Sequence, residues 1–243
     1  MKTRTFLPIF VFLYGFYYAQ EAPPAHGYIL EHISKESKFT AAGLTGDMRA
    51  YNRVYLNHST GNWEIPYENI EGSPYLQKNF IATKIDGTNA TEDLRYNIYA
   101  DQLEISKNSE IFVLPKSSTY TRFIFSPNEV IQYLETGDAN SGYFIELVNG
   151  KSKLYKKLKI NFLKPKEGKS GYEESRAAAF TQGTPEYYYQ LSSQQPLKVV
   201  SQEEIFKAFP DKESTLKEYF KKNKTKFTKE QDLKNLIVFL NTL

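Results

Sequence analysis

The chain has 243 residues, of which 40% are hydrophobic, 24% charged and 15% aromatic, a composition that excludes a disordered chain, a collagen-like chain and a multi-span membrane protein. There is no cysteine, so disulfide frameworks, thiolate zinc sites and cysteine nucleophiles are excluded. The three histidines all precede residue 60, which leaves little room for histidine-based catalysis. The formal net charge is only +3.

The first 19 residues have the layout of a cleaved secretory signal. Lys2 and Arg4 precede an apolar run over 6–16, and the small residue Ala19 closes it. The run is about half as long as the roughly 20 residues of a membrane-spanning helix, which disfavours an uncleaved anchor. Residues 1–19 are therefore predicted to be a signal peptide, and no later run is long enough to cross a membrane. Export without disulfides fits a bacterial envelope protein with a sizeable core.

Residues 20–78 are predicted to form an irregular or helical N-terminal segment. Within it, residues 34–55 are compatible with a helix interrupted by Gly43 and Gly46.

Residues 79–200 are predicted to form an antiparallel β domain. Apolar residues alternate from Leu94 to Ala100 and the parity shifts at Leu103, which indicates a bulge or bend near Asp101-Gln102. Asn149-Gly150 separates two strand patterns, as in a type I′ hairpin. Residues 164–184 are interpreted as a long loop, and a further hairpin is predicted over 187–200.

Residues 201–243 are predicted to form helices packed on the β domain. Ser201 and Thr228 each open a capping box, and Asp211 is a candidate cap for a helix between them. The last helix carries an apolar stripe at helical spacing: Leu233, Leu236, Ile237 and Leu240. The predicted class is α+β, a predominantly antiparallel sheet or partly closed barrel with a C-terminal helical segment.

Candidate catalytic and metal-binding groups are few. The set His26, Glu31, His32 and Asp47 matches no established metal spacing, and we interpret it as surface side chains. Carboxylate pairs, Asp101 with Glu104 or Glu92 with Asp93, are acid–base candidates only if the fold brings them together. Phosphate-binding loops and the nucleophile elbow of serine hydrolases are missing, so no cofactor, metal or catalytic residue is predicted.

Two clusters are candidates for protein binding. Residues 151–172 hold eight basic side chains and one acidic; this stretch either binds an acidic protein face or anionic lipid, or forms the solvent face of an edge strand. The tyrosines at 187–189 either pack in the core or form a recognition surface. The candidate residues are Lys153, Tyr155, Lys157, Lys159, Tyr187, Tyr188 and Tyr189.

The chain resembles a group of uncharacterised exported proteins from Bacteroidota. The resemblance lies in Gly72-Ser73-Pro74-Tyr75-Leu76, in the stretch Leu94-Arg95-Tyr96-Asn97 with Tyr99, Asp101, Leu103 and Glu104, in Lys153-Leu154-Tyr155-Lys156-Lys157, and in the tail Glu230-Gln231-Asp232-Leu233 closing on Asn241. It implies a periplasmic or outer-membrane-associated location and carries no activity or catalytic residue with it.

The leading functional hypothesis is a non-enzymatic envelope protein, a binding or accessory subunit of an outer-membrane or periplasmic assembly. It would meet its protein partner through a sheet edge, the tyrosines or the lysine-rich hairpin. One alternative is a carrier or sensor of a small apolar ligand such as a lipid; another is a carboxylate-dependent hydrolase of envelope glycans. Export argues against a nucleic-acid partner, and lipid contact remains among the alternatives.

Overall fold

The computed structural model describes residues 50, 52–58, 61–89, 91–107, 109–116, 120–126, 129–137, 139–168, 174–191, 194–199 and 201–243. The predicted signal peptide and the histidine set at 26–47 lie outside these residues. Within the described part, no helix has the length and apolarity needed to cross a membrane.

Fourteen strands and three α-helices are present in the described residues. The strands are β1 (Arg53–His58), β2 (Gly61–Pro66), β3 (Ile81–Ile85), β4 (Thr91–Asn97), β5 (Gln102–Lys107), β6 (Glu110–Val113), β7 (Arg122–Ser126), β8 (Glu129–Leu134), β9 (Gly142–Val148), β10 (Ser152–Lys157), β11 (Ile160–Leu163), β12 (Ala179–Gln182), β13 (Glu186–Leu191) and β14 (Leu197–Lys198). The helices are α1 (Gln202–Ala208), α2 (Glu213–Asn223) and α3 (Glu230–Leu240). The predicted α+β class is confirmed.

Ten strands form one sheet in the order β14-β13-β10-β9-β8-β7-β3-β4-β5-β6, with every pairing antiparallel. The sheet is not closed, and β14 and β6 lie at its two edges. Strand β10 lies between β9 and β13. The lysine-rich strand is therefore internal to the sheet, and the edge-strand interpretation of its lysines was wrong.

The sheet is strongly curved around its own apolar side chains. Strands β4 and β9 are four positions apart in the sheet, about 19 Å in a flat sheet at ~4.8 Å per strand. The rings of Tyr96 on β4 and Tyr143 on β9 nevertheless lie 5.9 Å apart, edge to face. The concave side is therefore filled by one core, which includes Leu94, Leu103 and Ile131.

The helices cover the other end of the sheet. Leu154 of β10 and Tyr189 of β13 pack against the buried stripe Leu233, Leu236, Ile237 and Leu240 of α3, which confirms the predicted stripe. The predicted cap Ser201 accepts a hydrogen bond from the Glu204 amide at 3.3 Å. Helix α3, in contrast, begins after Lys229 with no side-chain cap, so Thr228 is not its N-cap, and α2 follows Lys212 rather than Asp211.

Two small antiparallel pairs complete the described part. β1 pairs with β2, so the predicted helix over 34–55 does not extend to Arg53; the rest of that segment up to residue 49 lies outside the described residues. β11 pairs with β12; β11 ends just before the long loop predicted over 164–184, and β12 lies inside it, so that part of the loop prediction was wrong.

Candidate functional site

Residues 72–76 cross the end of β4 as an extended segment, which we call the strap. The Leu76 amide donates to the Tyr96 carbonyl at 3.0 Å and the Ile98 amide to the Pro74 carbonyl at 2.8 Å. Gly72 has φ +83°, and a Cβ there would collide with the Phe180 carbonyl oxygen. The strap therefore needs glycine at its first position both for its backbone conformation and for its close approach to β12.

Arg95 fixes the strap to the sheet. Its guanidinium lies 3.7 Å from the Tyr75 ring centroid and 4.4 Å from that of Phe80, and it donates to Glu104 through Nε at 3.1 Å and through Nη2. The Glu104 side chain is fully buried and also accepts from Asn97 Nδ2 at 2.9 Å. Because a buried charge must be paired and hydrogen-bonded, this network is structural.

A cleft lies on each side of the strap. The smaller, about 400 Å³, is on the Arg95 side, and the larger, about 520 Å³, lies between the strap and the segments around β11 and β12. We call the larger one the strap cleft. Its lining is mainly apolar, contributed by Tyr75, Leu76, Ile98, Ile145, Leu158, Ile160, Phe180 and Pro185, with Lys156, Lys159 and Gln182 among the polar residues.

The two lysines of the strap cleft share their carboxylates with other lysines. Lys156 Nζ lies 2.7 Å from Glu230 Oε2, and Lys234 Nζ lies 2.7 Å from the other oxygen of the same carboxylate. Lys159 and Lys198 contact the Oε1 atom of Glu186 at 2.9 Å and 2.6 Å. Four ammonium groups thus face two carboxylates, so the cleft has a local positive excess.

The pKa values of both carboxyls follow from this arrangement. Burial acts to raise the pKa of Glu186, but hydrogen bonds from Lys198 and Lys159 outweigh it and the pKa is lowered. Burial likewise acts on Glu230, and Lys156 and Lys234 lower its pKa. Both groups are therefore anionic near neutral pH, as salt-bridge acceptors should be.

The seven residues predicted to bind a protein do not form one exposed surface. Tyr155, Tyr188 and Tyr189 are buried: Tyr155 and Tyr188 pack with Phe144 on one face of the sheet, whereas Tyr189 packs under the helices. Tyr187 packs partly against the helices. Lys153 is partly exposed on β10, and Lys159 lines the strap cleft.

Lys157 belongs to a buried polar network centred on Asp101. Its Nζ lies 2.9 Å from Asp101 Oδ1 and donates to the Tyr143 carbonyl at 3.1 Å. Asp101 also accepts from the Tyr96 hydroxyl and from Lys116, both at 2.8 Å. Burial lowers the pKa of Lys157, while Asp101 opposes the shift. The network joins strands on opposite sides of the curved sheet and leaves Lys157 inaccessible to a partner.

The candidate acid–base carboxylates occupy separate networks. Asp101 is bound by Lys157 and Lys116, Glu104 by Arg95, and Glu92 pairs with Lys107. Among the described residues, no group of three His, Cys, Asp or Glu side chains is placed to hold a metal ion.

Sequence reasoning missed the strap cleft because its walls come from five separate stretches of chain. One signal was present: Lys156 breaks the alternation of apolar and polar residues along β10. The structure explains the break: alternation along β10 places Lys156 on the same face as Leu154, the helix side, where its ammonium meets Glu230.

The fold and the cleft define an α+β protein with an open, curved antiparallel sheet and a ligand-sized cleft beneath a strap. The chain matches no protein-family model, no curated protein and no solved structure. Its function must therefore be argued from the cleft and the surface.

Proposed function

We propose that this chain is a non-enzymatic binding protein of the cell envelope that carries a small amphipathic anion, such as a fatty acid, in the strap cleft. The observation that carries the proposal is a cleft of about 520 Å³ with an apolar lining and two lysines. Its volume lies within the roughly 300–1,000 Å³ of small-molecule sites.

The chemistry of the lining supports this ligand class. The side chains of Leu158, Ile160 and Phe180 offer an apolar body the contacts that it needs. Lys156 and Lys159 each compete with a second lysine for one carboxylate, so a ligand carboxylate or phosphate would complete the charge pairing. An uncharged ligand would gain nothing from this excess.

The accessory-subunit hypothesis receives less support from the structure. Four of its seven proposed contact residues, Lys157, Tyr155, Tyr188 and Tyr189, are buried within the chain. The glycan-hydrolase hypothesis needs a carboxyl whose pKa is raised, so that it can act as an acid. At the strap cleft, the pKa values of Glu186 and Glu230 are lowered by their lysine partners, which favours a binding role.

The test is a competition assay with a fluorescent fatty acid, in which dodecanoate and dodecanol displace the probe. Dodecanoate is expected to bind at least about tenfold more tightly, because a charge-assisted hydrogen bond contributes roughly 1.5–3 kcal/mol. Equal binding of the two compounds would contradict the anionic part of the proposal. Failure of both to displace the probe, or of the probe to bind, would contradict the carrier role altogether.

A matched pair of variants locates the site. Gln182 lines the strap cleft and Thr184 does not, and both are exposed. Gln182→Trp should fill part of the cleft and weaken dodecanoate binding at least about tenfold, because the ligand loses well-packed apolar contacts. The Thr184→Trp variant should bind dodecanoate as the wild type does. Equal affinities for both variants would place the ligand elsewhere.

A further inference from the structure

A cluster of exposed lysines lies at the junction of α2 and α3. Residues 220–229 contain five lysines and no acidic residue. All five are exposed, and within the described part of the chain none of them forms an ion pair. We call Lys221, Lys222, Lys224, Lys226 and Lys229 the lysine patch.

The lysine patch differs from the lysines of the hairpin. Lys156, Lys157 and Lys159 each contact a carboxylate of the chain, whereas among the described residues the five lysines of the patch do not. Without residues 1–19, the chain has 29 basic and 28 acidic residues. A general excess of positive charge therefore does not account for the patch.

An ordered backbone displays the patch. The Lys224 amide donates to the Phe220 carbonyl at 2.9 Å, and the Lys226 amide donates to the Asp232 carboxylate at 2.9 Å. The ring of Phe227 packs on that of Phe220, with centroids 5.9 Å apart. The ammonium groups are thus presented on a framework that is held by hydrogen bonds and packing, which reduces the entropy lost when they bind.

Two of these lysines occupy positions where local folding rules favour other residues. Lys224 ends α2 in the left-handed conformation, with φ +48°, where glycine or asparagine is preferred. Lys229 is the N-cap of α3 and forms no side-chain cap; its positive charge lies at the positive end of the helix dipole, where Ser, Thr, Asp or Asn is preferred. Folding alone does not explain these residues, and such departures are expected at functional sites.

From this geometry we propose that the lysine patch docks the protein on an anionic phospholipid surface. Clusters of four to eight basic residues bind such surfaces through summed electrostatic attraction, which needs no specific pairing. The patch contains lysine and no arginine, so the planar fork that recognises single phosphates is missing. Its neighbouring aromatic residues, Phe220 and Phe227, are packed together and do not offer a base-stacking platform. The inference is independent of the ligand in the strap cleft.

The experiment is vesicle co-sedimentation of the purified protein in its naturally processed form, using phosphatidylcholine vesicles with and without phosphatidylglycerol. The wild type is expected to bind only the anionic vesicles, and to release them when salt is raised from about 0.1 M to about 1 M. The triple variant Lys221→Gln, Lys224→Gln, Lys226→Gln should bind at least about tenfold more weakly.

The control removes the same charge elsewhere. Lys84→Gln, Lys151→Gln and Lys164→Gln, all at exposed positions, should together retain wild-type binding, because they lie outside the patch. If both triple variants lost the same vesicle affinity, net charge alone would account for binding and the proposal would be overturned. Absence of vesicle binding by the wild type would also overturn it. Tighter binding of the wild type to single-stranded DNA or polyglutamate than to the anionic vesicles, at equal charge concentration and ionic strength, would assign the patch to another polyanion class and also overturn the proposal.

Discussion

At the scale of single residues, Gly142 shows how closely the sheet is packed around Asp101. A Cβ at residue 142 would collide with Asp101 Oδ2 and with Lys157 Nζ. We expect Gly142→Ala to destabilise the protein by about 3–5 kcal/mol, because it separates a buried ion pair. Chemical denaturation measures this loss.

Gly87 provides the control for that substitution. It has φ +77°, but no atom lies within 4 Å of its would-be Cβ. Gly87→Ala should cost only about 1–2 kcal/mol, from the left-handed conformation alone. Equal costs for the two variants would show that backbone conformation, and not the Asp101 network, determines the need for glycine at residue 142.

At the scale of elements, Asn241, the residue that follows α3, adds a polar attachment to the β9–β10 hairpin. Asn241 accepts from the Ser152 amide at 2.6 Å and donates to the Ser152 carbonyl at 2.9 Å, across 89 positions of sequence. Since Ser152 is buried, Asn241→Ala would leave two backbone groups unsatisfied and should cost about 2–4 kcal/mol.

Asn235, within α3, is the matched asparagine. Its side chain is exposed and accepts only from Gln231 Nε2, so Asn235→Ala should change the free energy of unfolding by less than about 0.5 kcal/mol. Urea denaturation of both variants measures the two changes in the free energy of unfolding. A cost at Asn241 no larger than that at Asn235 would mean that the apolar stripe alone docks α3.

The elements predicted correctly are those defined by local patterns. The Asn149-Gly150 hairpin and the stripe of α3 depend on neighbours in sequence, so periodicity identifies them. The parity shift at Leu103 was interpreted as a bulge or bend, whereas the structure has a turn in which β4 and β5 pair antiparallel. Asp101 takes φ +51° there, and without a glycine the turn carried no strong signal.

The candidate site could not be predicted in the same way. Of the seven residues chosen from the sequence, Lys159 alone lines the strap cleft, since alternation identifies the two faces of a strand but not what covers each face. The strap lines the same cleft as β12 and the end of β10, although both strands lie far from it in sequence. The curvature of the sheet brings these segments together. These contacts depend on packing between distant segments, and no local sequence pattern reports such packing.

At the scale of the whole molecule, tyrosines fill much of the core. Tyr96, Tyr143 and Tyr155 are each only 1% exposed. Burial raises the pKa of all three phenols; the charge of Asp101 raises it further for Tyr96 and Tyr143, as that of Glu146 does for Tyr155. The folded protein therefore keeps protons that the unfolded chain loses near pH 10.

This difference predicts cooperative alkaline unfolding. A raised pKa in the folded state contributes stability that is complete below pH 10 and is lost as the pH rises above it. Each phenol costs about 1.4 kcal/mol per pH unit, so the three together cost about 4 kcal/mol per unit. Against a typical stability of about 5–15 kcal/mol, unfolding is expected between about pH 11 and pH 14. The lowered pKa of Lys157 has the opposite effect, because it makes stability rise with pH. That effect ends near pH 10.5, the pKa of a lysine in the unfolded chain.

Tyrosinate absorbance and circular dichroism, recorded on the same titration, test this expectation. Tyrosines whose phenols are open to solvent should ionise near pH 10 with no loss of β-sheet signal. A second rise in absorbance should then coincide with the collapse of the circular dichroism, because the core phenols can ionise only when the curved sheet opens. Ionisation of every tyrosine in one step near pH 10, with the sheet intact, would mean that solvent reaches the core and that the sheet does not close around Tyr96 and Tyr143 as described.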